Sequence, residues 1–156
     1  MKKIQILVVD DHTLFRRGLI SILEQDNQFS VIGEAGDSIS AIRLSESLKP
    51  DVILLDNHLP GATGIQSLPE LFLAAPDVVI LMLTVSENEE DLALALQSGA
   101  LGYLLKTSEK DDLLNGIKRA FNGESVISPE MTSKLISAFK TNKVKSNNEV
   151  QTQISN

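Results

Sequence analysis

Five short, near-continuous apolar runs alternate with longer stretches of helical periodicity, and this alternation constrains the fold more than any other property of the chain. The runs are Ile4–Val9, Ser30–Ala35, Val52–Leu55, Val78–Leu83 and Gly102–Leu105, each of strand length. Helical patterns lie between and after them, near residues 13–26, 38–48, 64–75, 87–98 and 108–122. Strands apolar on both faces need cover on both, so the expected class is an open α/β sheet with helices on either side. With 42% hydrophobic residues in 156, the chain suits one domain plus a short extension. The longest apolar run, Val78 to Leu83, is far short of the roughly eighteen residues that cross a bilayer. Lys2 and Lys3 precede a brief apolar stretch that ends in Asp10-Asp11, which does not fit a secretory signal, so a cytoplasmic protein without a membrane partner is expected.

Local signals refine the boundaries. Ser86-x-x-Glu89 and Ser108-x-x-Asp111 have the form of capping boxes, and Gly99 and Gly123 sit where helices should stop. Pro69 lies inside the third helical pattern and should kink it or move its start toward Ser67. After Gly123, Ser128-Pro129-Glu130 reads as a cap followed by proline at the first helical position, with Met131, Leu135, Ile136 and Phe139 on one face. Residues 141–156 are mostly Asn, Gln, Ser, Thr and Lys, too polar to offset ordering entropy. The expected organisation is therefore a body over 1–123, a linker helix over 124–140 and a flexible tail over 141–156. Charge divides the same way: residues 1–139 carry 11 basic and 20 acidic side chains, a balance of −9, and residues 140–156 a balance of +2. An acidic body does not bind duplex DNA by itself.

Chemistry gathers at the strand ends. In an open parallel sheet the ligand site lies beyond the carboxyl ends of the strands, where strand order reverses. Asp10-Asp11 follow the first run, Asp56 the third, Thr84 the fourth and Lys106 the fifth. Each has an ordinary explanation: helix capping for Asp10 or Asp11, turn chemistry for Asp56 before Pro60-Gly61, strand packing for Thr84, a solvated charge for Lys106. Their conjunction is harder to credit to chance. Three converging carboxylates repel one another unless a cation sits among them, and oxygen donors without cysteine favour Mg2+ over zinc. Lys106 and Thr84 then suit the other oxygens of a bound phosphoryl group. Asp56, the single acid at the end of the central strand, is the best placed to accept that group as an aspartyl-phosphate. By default, His58 reads as an exposed loop imidazole and Tyr103 as core packing.

These residues resemble the receiver domains of two-component response regulators. The resemblance covers about residues 3–122 and rests on Asp10-Asp11, Asp56-x-x-x-Pro60-Gly61-x-x-Gly64, Thr84 and Gly102-Tyr103-Leu-Leu-Lys106. It implies a flavodoxin-like (βα)5 sheet of strand order 2-1-3-4-5. It further implies that Asp56 takes a phosphoryl group from a sensor histidine kinase. Mg2+ would be held by Asp10, Asp11, Asp56 and the backbone carbonyl of His58. Lys106 and Thr84 would contact the phosphoryl oxygens, and Tyr103 would turn inward as Thr84 moves toward the phosphate, a population shift biased by a new charge. The only catalysis implied is the domain's own phosphorylation and dephosphorylation, and a homodimer on phosphorylation is allowed for. Lys106 followed by Thr107, and the segment Gly123 to Glu130, resemble the NarL/FixJ subfamily, in which a LuxR-type helix-turn-helix would begin about where this chain ends. Val85 departs from the smaller Ala or Ser common there.

Other readings fit less well. A flavin phosphate would be repelled by Asp10-Asp11, and a metal-dependent phosphatase would want a second catalytic acid and a cap domain for which 156 residues leave no room. A degenerate receiver would not keep the full set of site residues. A receiver with a complete site that acts through protein contacts, without a DNA output, stays open as the alternative.

Overall fold

The computed structural model describes residues 2–137 and 140. Among them β1 (Ile4–Val9), β2 (Phe29–Ala35), β3 (Val52–Leu55), β4 (Val79–Thr84) and β5 (Gly102–Leu105) alternate with α1 (Thr13–Glu24), α2 (Ser38–Leu48), α3 (Gly64–Ala74), α4 (Glu89–Gln97) and α5 (Lys110–Phe121). All strand pairs are parallel. The order is the expected 2-1-3-4-5 with one strand that periodicity does not reveal, β6 (Val126–Ile127), added beside β5. Residues 129–137 are helical. Phe139 and the tail over 141–156 fall outside the described residues.

Period-two alternation sends successive side chains of these strands to opposite faces, both of which are covered by helices. Leu7, Val9, Ile53, Leu55, Ile80 and Met82 face α2, α3 and α4, where they meet Ala41, Leu68, Leu71 and Leu92. Ile6, Val8, Val52, Leu54, Leu81 and Leu83 face α1 and α5, where they meet Leu19, Leu23, Leu113 and Ile117. Each fully buried aliphatic side chain contributes about 1.5–3 kcal/mol, so the two faces together hold the central strands in register. Met131 is wholly buried in the first cluster, with Leu135 packed against it, which seats the helix over 129–137 on the side that carries α4.

The capping signals resolve differently from the sequence reading. Asn88, not Ser86, caps α4, its side-chain oxygen accepting from the N–H groups of Glu90 and Asp91. Ser86 instead donates its hydroxyl hydrogen to Asp91 at 2.8 Å. Ser108 is likewise displaced: α5 starts one residue later from Glu109, which makes no side-chain cap. Helix α3 passes through Pro69 rather than starting at Ser67. Its entry is held by a Thr63/Gln66 capping box that outweighs one missing backbone donor. Ser128 commits its hydroxyl to the N–H of Leu105 rather than to the helix it precedes. Gly99 and Gly123 do follow the ends of α4 and α5.

The turn after β3 is packed without slack. A Cβ on Gly64 would lie 2.2 Å from the carbonyl oxygen of Asp56, closer than any real contact. Gly18, on the exposed side of α1, has nothing within 4 Å of the corresponding position. Gly64→Ala should therefore cost roughly 3 kcal/mol or more, while Gly18→Ala should stabilise by about 0.5–1 kcal/mol through helix propensity. Urea midpoints of the two variants check this; a near-neutral Gly64→Ala would contradict the close approach.

Candidate functional site

Backbone hydrogen bonds carry the parallel ladder one residue past the strands and so fix the base of each functional side chain. Asp10 N–H donates to Ala35 O, Asp56 N–H to Val9 O and Lys106 N–H to Thr84 O, each at 2.9 Å. The three side chains meet at the carboxyl edge of the sheet, where strand order reverses between β1 and β3. Lys106 Nζ lies 2.6 Å from Asp10 Oδ2 and 3.1 Å from Asp56 Oδ2. All three groups are nearly enclosed, with side chains 11%, 3% and 3% exposed. The ammonium also sits over the Phe15 ring, 4.4 Å from its centre. Burial alone would pull the Lys106 pKa down, but the hydrogen bond to Asp10 and the charge of Asp56 outweigh it and hold it above its ordinary value.

Asp11 is exposed, yet one carboxylate oxygen from each of Asp10, Asp11 and Asp56 falls within 4.8 Å of the others. Asp10 Oδ1 also accepts from His12 N–H at 2.8 Å. Asp56 Oδ1 is buried and has no hydrogen-bond partner, while Oδ2 is taken by Lys106. Three carboxylates against one ammonium leave two negative charges, and hard oxygen donors with that surplus fit a divalent cation. The donor set and the unpartnered oxygen are therefore compatible with metal binding.

Thr84 and Tyr103 are both fully buried and are joined through the backbone of one residue, Ser86. Ser86 N–H donates to Thr84 Oγ1 at 3.2 Å, and the Tyr103 hydroxyl donates to Ser86 O at 2.9 Å. Tyr103 points inward, into the core that includes Met82 and Ala95. Burial raises its pKa, partly offset by the bond to Ser86, with the charges of Asp91 and Asp56 adding to the rise. Val85 is 59% exposed and His58 is exposed as well, so neither imidazole nor isopropyl group is packed inside the cluster.

Four supporting residues escape a reading of the sequence. Asn57 is buried, and its side-chain oxygen accepts from Ile65 N–H at 3.0 Å, stapling the turn after Asp56 to α3. Arg16 bonds Glu34 at 2.8 Å and donates to the carbonyl of Asp10, tying α1 to the acid pair. Phe15 supplies the ring under Lys106, and Ser86 the bridge between Thr84 and Tyr103. The Asp56-Asn57 adjacency is the one signal in the sequence that points to any of them, since an asparagine side chain often braces a turn.

A doubly wound sheet with an acid cluster and a lysine at its carboxyl edge is suited to phosphate- or cation-dependent chemistry. A model of the response regulator receiver domain matches residues 6–118, and the chain belongs to that family. Within it the chain is NarL-like. It is 38% identical over 145 residues to the nitrate/nitrite response regulator protein NarL of Escherichia coli, covering 93% of this chain and 67% of that one. It is 37% identical over 138 residues to the transcriptional regulatory protein DegU of Brevibacillus brevis, covering 88% of this chain and 58% of that one. The crystal structure of a LuxR-family two-component response regulator from Aurantimonas superposes with a TM-score of 0.83 at 28% identity, covering 87% of this chain and 97% of that one. The chain thus spans about three fifths to two thirds of the length of the two sequence relatives. No described helix is long and apolar enough to cross a membrane.

Tyr103 is the only tyrosine, and there is no tryptophan, so ultraviolet titration reports on it alone. Its ionisation midpoint in the folded protein should lie above 10.0, the value of the unperturbed group. A folded pKa above the unfolded one contributes stability that is complete below the unfolded value and lost as pH rises through the folded one. The urea midpoint of the wild type relative to Tyr103→Phe should therefore hold level below about pH 10 and fall above it. A midpoint at or below 10.0 would contradict the buried, inward tyrosine.

Proposed function

We propose that this chain is the phosphoacceptor part of a two-component transcription regulator, in which Asp56 takes a phosphoryl group from a phosphohistidine of a sensor histidine kinase. The observation that carries this reading is the Asp56 carboxylate, with Oδ2 gripped by Lys106 and buried Oδ1 left without a partner. In the transfer, a carboxylate oxygen of Asp56 attacks phosphorus, the N–P bond breaks, and its electron pair returns to the imidazole, which takes up a proton. Lys106 is placed to turn from Asp56 to a phosphoryl oxygen with little displacement, and the β5 backbone holds it there throughout. Phe15 beneath it and Asp10 beside it limit where the ammonium can go.

Asp10, Asp11 and Asp56, with the backbone carbonyl of His58, are the residues that would hold Mg2+. When bound, the ion would neutralise charge on the phosphoryl oxygens. Thr84 has one hydroxyl hydrogen to give and lone pairs to spare, so it can bond a phosphoryl oxygen while still accepting from Ser86 N–H. A shift of Thr84 toward Asp56 then draws on Ser86, whose carbonyl holds the Tyr103 hydroxyl. The phosphoryl charge thereby biases the β4–α4 loop and the face carrying Tyr103 between two arrangements. The domain catalyses only its own phosphorylation and dephosphorylation. The output is transcription, through a helix-turn-helix domain outside these residues and a pairing of two phosphorylated copies. The description of DegU as a transcriptional regulatory protein supports that output. The body, with 20 acidic against 11 basic side chains in residues 1–139, does not itself bind DNA. A cytoplasmic location follows from such a role.

Incubation with acetyl phosphate and Mg2+ should add one phosphoryl group by intact mass, and Asp56→Asn or excess chelator should abolish it. Equal labelling of Asp56→Asn would overturn the assignment, and labelling in chelator would overturn the metal's part.

Val85 follows Thr84 in the chain and is largely exposed, and we propose that its side chain narrows the path by which water and small phosphodonors reach Asp56. In-line transfer loses rate steeply when the attacking atom is displaced. Val85→Ala should speed both labelling by acetyl phosphate and spontaneous loss of the phosphate. Unchanged or slower rates in the folded variant reject a gating role.

A further inference from the structure

Among the described residues, the strand that carries Lys106 to the acid cluster is bounded on its outer side only by β6. Pairing between them joins Gly102 to Val126 and Tyr103 to Ile127 and ends there, because Ser128 and Pro129 turn the chain into a helix. Leu105, next to Lys106, is buried at 3% exposure, so its N–H cannot turn to water for a partner. On the inner side β4 and Thr84 O hold this stretch of chain through Leu105 and Lys106. On the outer side no third residue of β6 exists to do so.

Ser128 fills that place with a side chain. Its Oγ accepts from Leu105 N–H at 3.1 Å. Its own N–H donates to Tyr103 O at 3.0 Å, which fixes its position along the strand. Ser128 is 2% exposed, and its hydroxyl lies 3.4 Å from that of Ser108, across the turn beyond Lys106. Both sides of the chain entering Lys106 are thus held, one by a strand and one by a hydroxyl from beyond α5.

We propose that Ser128 is a positioning residue for Lys106: its hydroxyl replaces the missing ladder partner of Leu105 and so fixes the end of β5 from which the ammonium reaches Asp10 and Asp56. The proposal rests on the phosphoacceptor reading of Asp56 for its effect on reactivity, but not for its structural content. It makes the segment after Gly123 part of the reactive site rather than a mere tether for an output domain.

Two measurements on the full chain test it. Hydrogen exchange of the Leu105 amide, monitored without any phosphodonor, should quicken at least tenfold in Ser128→Ala relative to the neighbouring Leu104 amide, as expected for loss of one buried bond. Labelling by acetyl phosphate should slow by roughly tenfold in the same variant, and Ser128→Thr, which keeps the hydroxyl, should restore both readings. In a Lys106→Met background, Ser128→Ala should cost nothing further, because a residue that acts through the ammonium has no effect once it is gone. A merely structural serine would instead give losses that multiply. Unchanged Leu105 exchange in Ser128→Ala, failure of threonine to restore the readings, or multiplying losses would each overturn the proposal. Absence of labelling in the wild type, with Leu105 exchange responding as expected, would overturn the phosphoacceptor reading and leave the latch standing.

Discussion

An ammonium held between two buried carboxylates is the interaction on which the rest of this structure depends. Lys106 reaches Asp10 and Asp56 from β5, while the acids come from β1 and β3, so three strands must agree in register for the charges to meet. Removing Lys106 would leave Asp10 and Asp56 charged and without their counter-ion in a low-dielectric setting, which costs several kcal/mol, on the order of 3–5. The largely apolar strands supply the rigidity that tolerates this arrangement, and the surplus of negative charge that Lys106 does not neutralise is compatible with a bound cation.

Much of this is legible in the sequence because both signals are local. Runs such as Ile4–Val9 and Val52–Leu55 read as buried strands, and a parallel sheet then brings their C-terminal residues together whatever the details of the loops. That is why Asp10, Asp56, Thr84 and Lys106 can be picked out as a group. The illegible features depend on competition or on distance. Ser86 and Asn88 both lie at the start of α4, and only packing decides that the amide caps the helix and the hydroxyl bonds Asp91. Pro69 breaks a propensity rule that the Thr63 and Gln66 pair and the buried Leu68 and Leu71 override. Phe15 and Arg16 face the site only because of the angle at which α1 lies on the sheet, which no periodicity encodes. Strand β6 is two residues long, too short for any pattern to show.

The residues that tie the site to the core are less conspicuous than the charged ones. Ser86 contributes no side chain to the acid cluster, yet its two backbone groups hold Thr84 on one side and Tyr103 on the other. The two groups belong to successive peptide planes that meet at the Ser86 Cα, so a displacement of one is passed to the other through the φ and ψ of a single residue. Lys134, in the helix over 129–137, reaches the same loop, donating to Glu87 O at 3.0 Å. The loop after Thr84 is therefore gripped from the site, from the core and from the last described helix.

The two-residue strand beside β5 has one more consequence, which concerns other molecules of the same protein. An uncovered strand end offers a row of free donors and acceptors on which a foreign segment can align. Without Val126 and Ile127, the outer edge of Gly102–Leu105 would be such a template, apolar on both faces and open for another copy to add to it. Gly102 records how tightly that edge is closed: a Cβ there would fall 2.4 Å from Val126 O. The same few residues that complete the sheet thus keep its edge from recruiting neighbours, and a chain trimmed at Gly123 would be expected to trade solubility for brevity.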